Sequence, residues 1–418
     1  MSISYFIKSL KPTRTEHWIM LSIFLYTMYC VLSGFVSPLV CKPLLLLGCA
    51  MYIVTLITKW KGVPLTGLTK GVFIFLVLWT VCLTIHMFFF FDLSTVITGG
   101  QIRGTISYIS YLFDSLPFFP HLLPLCICCF PKNYSFDFGY FVRMMFLVAV
   151  IYICVLPFSV HSMSGINRFL GDFDATDASL GIRLLVPATI MIFFKKYLSS
   201  KQWGIFLFTF ICSLFVNIYL GRRGASAMCL LYILSMWLLY VLNEGRNKKI
   251  QVFLIGIIMI ACAYAIFVNT SDSFFSYILD RGFEDNRSDR NIDMITDMNS
   301  TNDWVFGRGW FGQYFDSVYG YRGAIETGAL ALLLRGGFLY FIPYVALLLF
   351  TFINGTFRSK NFLCKALGIV AGLEIVYLYP YGWPLFSFNY FFLWIGVYMC
   401  NSARNRNLSD GNIMSIYF

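Results

Sequence analysis

Apolar residues in this chain run in long unbroken stretches that recur from one end to the other. A membrane barrel would show strict alternation, and a water-soluble helix would show one apolar stripe. A bilayer core takes about 20 mostly apolar residues per helix. In lipid the backbone must satisfy its own hydrogen bonds, so each such stretch is predicted to be a helix. The stretches are His17–Val36, Leu39–Thr58, Gly71–Phe91, Thr105–Phe130, Tyr140–Val160, Leu180–Phe194, Trp203–Leu220, Ala225–Leu242, Ile250–Val268, Gly328–Phe352, Phe362–Leu378 and Phe386–Cys400. The fourth contains Asp114, Pro117, Pro120 and Pro124 and is expected to be broken. The expected fold class is an all-α, polytopic integral membrane protein with about 12 transmembrane helices. Helices one to nine occupy 1–268, a large outer loop 269–327, helices ten to twelve 328–400, and a tail 401–418. The first apolar stretch is long enough to remain a helix, so no cleavable leader is expected.

Composition agrees. Of 418 residues, 59% are hydrophobic and only 12% are charged; a soluble chain carries about twice that charged share. The net charge of +11 is distributed as an orientation signal, because Lys and Arg concentrate in cytoplasmic loops. With the N-terminus inside, Lys8, Lys11, Lys59, Lys61, Lys70, Lys132, Lys195, Lys196, Lys201, Lys248, Lys249, Lys360 and Lys365 all fall on the inner side, and Lys42 does not. Both termini are then cytoplasmic, in agreement with Arg404 and Arg406 in the tail. No compact basic domain carries the charge, so nucleic acid is not expected as a partner. The 13 cysteines sit mainly in apolar stretches and form neither a disulfide framework nor a metal pattern.

Arginine does not follow lysine. Arg103, Arg168, Arg183, Arg222, Arg223, Arg281, Arg287, Arg290, Arg308 and Arg322 all fall on the outer side. Guanidinium offers a planar fork of donors that fits phosphate or carboxylate. The outer side therefore reads as an anion-binding face, although pairing with nearby acids explains some of these arginines.

Three outer segments carry the candidate chemistry. Asn269–Thr327 holds ten of the chain's 20 acidic residues, five arginines and no lysine. It reads as one short amphipathic helix and then a glycine-rich turn. Ser288 is the candidate cap, and Ile292, Ile295 and Met298 would share a face. The turn, Gly307-Arg308-Gly309-Trp310-Phe311-Gly312, is formally G-x-G-x-x-G, but no strand precedes it and a dinucleotide site is rejected. Aromatics anchored at the membrane interface or contact with substrate are the two readings that remain. Gly221-Arg222-Arg223-Gly224 makes a very short outer turn at a helix start, an anion site in kind. His161–Gly181 holds Arg168 with Asp172, Asp174 and Asp177, where a solvated loop is the plainer reading of the acids. Glu326 stands at the outer entrance of the tenth stretch beside Arg322, and Arg335 lies within it before Gly336-Gly337. An intramembrane charge is a functional candidate. Alternatively Ala324–Leu334 is a re-entrant or surface helix, the true span begins near Gly337, and Arg335 lies at an interface.

These residues, in this order, resemble the O-antigen polymerase and O-antigen ligase superfamily. The resemblance rests on Arg168 with Gly171, on Gly221-Arg222-Arg223-Gly224, on Arg287 ahead of Gly307-x-Gly309, and on Glu326-Thr327-Gly328 with Arg335-Gly336-Gly337. It spans the topology of the whole chain but only some six short motifs. It implies a multi-pass protein of the bacterial inner membrane whose large loop and active face are periplasmic. The implied reaction joins undecaprenyl-diphosphate-linked oligosaccharide repeat units, without metal or other cofactor. On that reading Arg222, Arg223, Arg287 and Glu326 are the catalytic candidates, with Glu326 activating the acceptor hydroxyl. Arg168, Arg290, Arg308, Arg322 and Arg335 are the substrate-binding candidates. Trp310, Phe311, Tyr314, Tyr319 and Tyr321 would stack on sugars or anchor the loop. Membrane lipids are expected partners, and a chain-length regulator and other assembly proteins are further ones that the resemblance raises. The ligases carry a histidine in the large loop just before the next helix; this chain's His17, His86, His121 and His161 lie elsewhere, which favours polymerase. A ligase acting on lipid A-core and a lipid-linked oligosaccharide flippase or transporter remain the alternatives.

Overall fold

A computed structural model describes residues 10–33, 35–89, 119–132, 134–164, 189–219, 223–243, 286–318, 320–323, 325, 327–379 and 384–418. The described residues are mostly helical, and among them five helices are long and apolar enough to cross a membrane. In order come α1 (Thr15–Leu32), α2 (Pro38–Lys59), α3 (Gly67–Phe89) and the one-turn α4 (Phe119–Leu122). Then follow α5 (Phe138–Ser164), α6 (Ser200–Tyr219) and α7 (Arg223–Asn243). The loop region supplies α8 (Asn286–Asp297), α9 (Thr301–Phe306) and an antiparallel hairpin of β1 (Tyr314–Asp316) and β2 (Gly320–Arg322). The chain continues through α10 (Gly328–Thr356), α11 (Phe362–Tyr377), α12 (Phe388–Cys400), α13 (Ala403–Asn407) and α14 (Asp410–Tyr417).

Helices thus stand at the first, second, third, fifth, seventh, eighth, tenth, eleventh and twelfth apolar stretches. The fourth and sixth differ where described. Leu123–Cys129, which follows α4, and Thr189–Phe194 are tighter 3₁₀ turns. In the fourth, Pro120 and Pro124 withhold amide donors that a continuous α-helix would use. The ninth stretch lies outside the described residues. The hairpin is a departure from the all-α expectation.

The apolar surfaces explain the arrangement. On α3 one stripe, Phe73, Leu76, Thr80, Leu83 and Met87, is buried. A second stripe, Leu68, Phe75, Leu78, Ile85 and Phe89, is exposed. Both follow the three-to-four residue spacing of helix faces. A helix in water would carry polar groups on its outer stripe; an apolar outer stripe is what lipid solvates. Hydroxyls within these helices return to their own backbone: Thr27 donates to the Ile23 carbonyl at 2.8 Å, Thr80 to Leu76 at 2.8 Å and Thr351 to Leu347 at 2.7 Å. The middle of the bundle is α12, in which every residue from Tyr390 to Cys400 is buried. At 13 residues it is shorter than a bilayer crossing, and protein rather than lipid surrounds it. Helices α10 and α11 cross at two glycines. A β-carbon on Gly355 would meet the Gly368 Cα at 2.7 Å, so this close backbone approach tolerates no side chain.

Segments expected on the inner side come together at one end of the bundle. The Lys61 amide donates to the Cys128 carbonyl at 2.8 Å. Tyr398 donates to the Pro131 carbonyl at 3.1 Å. Lys196 pairs with Asp410 at 2.6 Å, and the Lys360 amide donates to the Arg406 carbonyl at 2.8 Å. Beside them the buried carboxylate of Glu16 accepts from Tyr134. Burial raises the Asp137 carboxyl, but hydrogen bonds from His17 and the Tyr140 amide outweigh it and hold the group below its ordinary range. The loop region 286–327 joins the other end, against the start of α10 and the last turns of α3.

Candidate functional site

The loop region is built on its own small core. Met294 on α8 and Met298, the residue just past its end, are buried against Tyr314, Ile325, Ala331 and Leu334. Ile292 and Ile295 face outward instead, at 59% and 47% exposure. Steps of three residues drift by about 60° around a helix, so Ile292, Ile295 and Met298 fan out and only Met298 reaches the core. Ser288 is the third residue of α8 rather than a residue ahead of it. Ser300 caps α9 by accepting from the Asp303 amide at 3.0 Å.

Helix α9 ends at Gly307, whose φ of 73° only glycine adopts readily. Helix α10 is broken at Gly337, with φ 61° and ψ −167°, a conformation essentially confined to glycine. The two irregular points interlock. A β-carbon on Gly307 would stand 2.5 Å from the Gly337 nitrogen, and one on Gly337 would stand 2.3 Å from the Val305 oxygen. The break withdraws helical partners from three successive carbonyls, and groups from outside α10 replace them. The Arg308 amide donates to the Leu334 carbonyl at 2.7 Å and the Gly309 amide to the Arg335 carbonyl at 2.9 Å. The Trp79 indole donates to the Gly336 carbonyl at 2.8 Å. In an apolar surrounding each such carbonyl would otherwise cost about 1–3 kcal/mol. The loop is therefore stitched into the bundle.

Arg335 and Trp310 both enter this junction and are buried. Trp310 stacks on His121 with ring centroids 4.1 Å apart and donates to the Thr84 hydroxyl at 3.1 Å. His121 Nδ1 lies 2.8 Å from the Tyr340 hydroxyl. Arg335 is near enough to act electrostatically on both His121 and Tyr340. The imidazole of His86, at the end of α3, lies 3.2 Å from the point where Gly309 would carry a β-carbon. Trp310 and Phe311 are thus packed in protein and not at a lipid interface.

The arginines of the loop have distinct environments. Arg308 donates to the carboxylates of Asp297 and Asp303, to the Asp297 carbonyl at 2.8 Å and to the Gln313 carbonyl at 2.8 Å. Burial disfavours its charge, but the bonds to Asp303 and Asp297 prevail and raise it above the ordinary arginine value. These donors close the loop on itself, so its place is structural. Arg322 pairs with buried Asp316 at 3.1 Å across the hairpin. Arg290 on α8 and Arg322 on β2 converge on Tyr314: burial pushes that phenol up, and both guanidiniums pull it down. Arg287 stands one turn ahead of Arg290 in the backbone of α8, and Arg223 is the first residue of α7. Thr327 ties the start of α10 to α8 through Asn291 at 3.1 Å. Arg168, Arg222, Glu326 and Tyr319 lie outside the described residues. Trp79, Thr84, His121 and Tyr340, which complete the junction, were not singled out from sequence. The nearest signal was Gly336-Gly337 inside an apolar stretch.

Compared with known proteins, the chain matches no family model, no curated protein and no solved structure.

Proposed function

We propose that this chain is a surface-polysaccharide polymerase that joins undecaprenyl-diphosphate-linked oligosaccharide repeats at the periplasmic face of a bacterial inner membrane. What supports the reading is the separation of the two ends: lysine-bearing segments gather at one, and the arginine-bearing loop is stitched into the other. A flippase would be expected to line a path through the bundle with its charges.

In the proposed reaction an acceptor hydroxyl oxygen attacks the anomeric carbon of the donor glycan. The bond from that carbon to the diphosphate oxygen breaks, and its electron pair leaves with the lipid diphosphate. The hydroxyl proton passes to a base, for which Glu326 is the candidate. Arg222, Arg223 and Arg287 stabilise charge growing on the leaving diphosphate, and Arg168, Arg290 and Arg322 hold the glycan donor. His86 against Gly309 favours a second reading, ligase, because it supplies the loop with the imidazole that its own sequence lacks.

The test is reconstitution of purified protein with a synthetic polyprenyl-diphosphate repeat unit. Polymerase predicts a ladder of lipid-linked oligomers, lost in Arg223→Ala and Arg287→Ala. Product formed only on added lipid A-core, and abolished by His86→Ala, favours ligase. Translocation without a new glycosidic bond contradicts both.

A further inference from the structure

We propose that a cavity at the lysine-rich end of the bundle binds the phosphate of an anionic lipid headgroup. This site is separate from the proposed polymerase face and does not depend on it. The cavity measures about 410 Å3 and is lined by Thr13, Arg14, Trp18, Lys59, Tyr134 and Ser135. That size lies within the range of small-ligand sites, about 300–1,000 Å3.

Three separate segments bring its groups together: the start of α1, the last turn of α2 and the 134–135 loop. Lys59 is exposed and makes no hydrogen bond or ion pair among the described residues. Arg14 is 47% exposed; it spends one donor on the Ser135 carbonyl at 3.2 Å and approaches Glu16 only to 3.8 Å. Glu16 is fully buried, pairs with Arg14 and offsets part of its charge, and its oxygens also accept from the Tyr134 hydroxyl and the Asp137 amide; Lys59 is the cation it does not reach among the described residues. Lys59 and the half-exposed Arg14 thus line one space together with Ser135, a donor set for phosphate oxygens.

The setting selects lipid over a soluble anion. Trp18 is 41% exposed on the rim and Trp60, next to Lys59, is 48% exposed, as indoles at headgroup level are. The α2 surface leading down from Lys59 is apolar, with Val54 and Ile57 exposed. An acyl chain lying along that surface places its headgroup at the cavity. Lys11, Lys61 and Lys132 are exposed close by in sequence and add to the attraction of an anionic leaflet.

The experiment uses full-length protein in nanodiscs of phosphatidylcholine doped with phosphatidylglycerol, read by native mass spectrometry and thermal melting. Wild type retains phosphatidylglycerol and melts higher with it than in phosphatidylcholine alone. Lys59→Gln weakens retention about fivefold, and Lys59→Gln with Arg14→Gln about 25-fold. Lys59 holds no hydrogen bond or ion pair among the described residues, so its single variant reads binding even if Arg14→Gln folds poorly. Lys201→Gln, equally exposed at the same end but outside the cavity, leaves retention unchanged. Equal loss in Lys201→Gln means diffuse attraction and overturns the site. Displacement of the lipid by millimolar inorganic phosphate assigns the cavity to a soluble anion and overturns the lipid reading.

Discussion

The junction between the loop and the broken helix makes a sharp prediction for Gly337→Ala. A methyl group there meets the Val305 oxygen at 2.3 Å and the Gly307 nitrogen at 2.6 Å, both backbone atoms that cannot rotate away. The dihedral angles, φ 61° and ψ −167°, add strain of about 1–3 kcal/mol. If the loop withdraws to make room, the Leu334 and Arg335 carbonyls lose the Arg308 and Gly309 amides, at about 1–3 kcal/mol each. The sum, about 3–9 kcal/mol, rivals the whole stability of a typical domain. Gly320→Ala is the control. It also has positive φ, 74°, but nothing lies within 4 Å of its β-carbon, so it pays only backbone strain of about 1–2 kcal/mol. The assay is thermal melting in detergent, with limited proteolysis across residues 298–327. Gly337→Ala should melt far below Gly320→Ala and expose the loop to cleavage while the bundle stays helical. Equal melting of the two variants, with the loop protected in both, refutes the interlock.

Two further predictions follow from the charges. Arg308→Gln leaves the carboxylates of Asp297 and Asp303 facing each other and loosens the loop by about 1.5–3 kcal/mol. The pair is about a quarter exposed, which keeps the cost below that of a buried ion pair. Arg308→Lys recovers less than half, because an ammonium cannot reach four acceptors; full recovery in a melting assay would contradict the geometry. At the other end, Asp410 accepts from Lys196, Tyr197 and the Phe362 amide. Burial raises its carboxyl, but those partners outweigh it and hold the folded value below the ordinary one. The resulting stabilisation is present above the unfolded carboxylate value, about 4, and is lost as pH falls through the lower folded value. Exposure of the group keeps the effect small. Protease sensitivity of the tail should rise on acidification below pH ~4 in wild type and be pH-independent in Asp410→Asn.

Much of the fold is legible in the pattern of apolar stretches because a bilayer leaves the backbone so few options. What the stretches conceal is which of them stay continuous. Pro120 and Pro124 announced one interruption, and Gly336-Gly337 announced another without saying what would fill it. Of the groups that fill it, the Arg308 and Gly309 amides come from the loop just ahead, but the Trp79 indole comes from a helix more than 200 residues away, beyond any local pattern. The hairpin is invisible for a different reason: strands of three residues are too short to show alternation. Ile292, Ile295 and Met298, at steps of three, look aligned on paper and fan out in space, so that only Met298 reaches the core. The arginines of the loop region stand out in the sequence, but their separate roles do not. Arg308 sits amid acids that its sequence neighbourhood also contains, and only coordinates separate a self-closing arginine from one available to an anion.

The central claim, polymerisation at the arginine-bearing face, is tested most directly by surface glycan length in a deletion strain. The gene is restored as wild type, Arg223→Ala, Arg287→Ala or Glu326→Gln at matched membrane abundance. The account predicts a full ladder with wild type and a single repeat unit on its anchor with either arginine variant. An unchanged ladder in the deletion strain, with no second polymerase present, would contradict it.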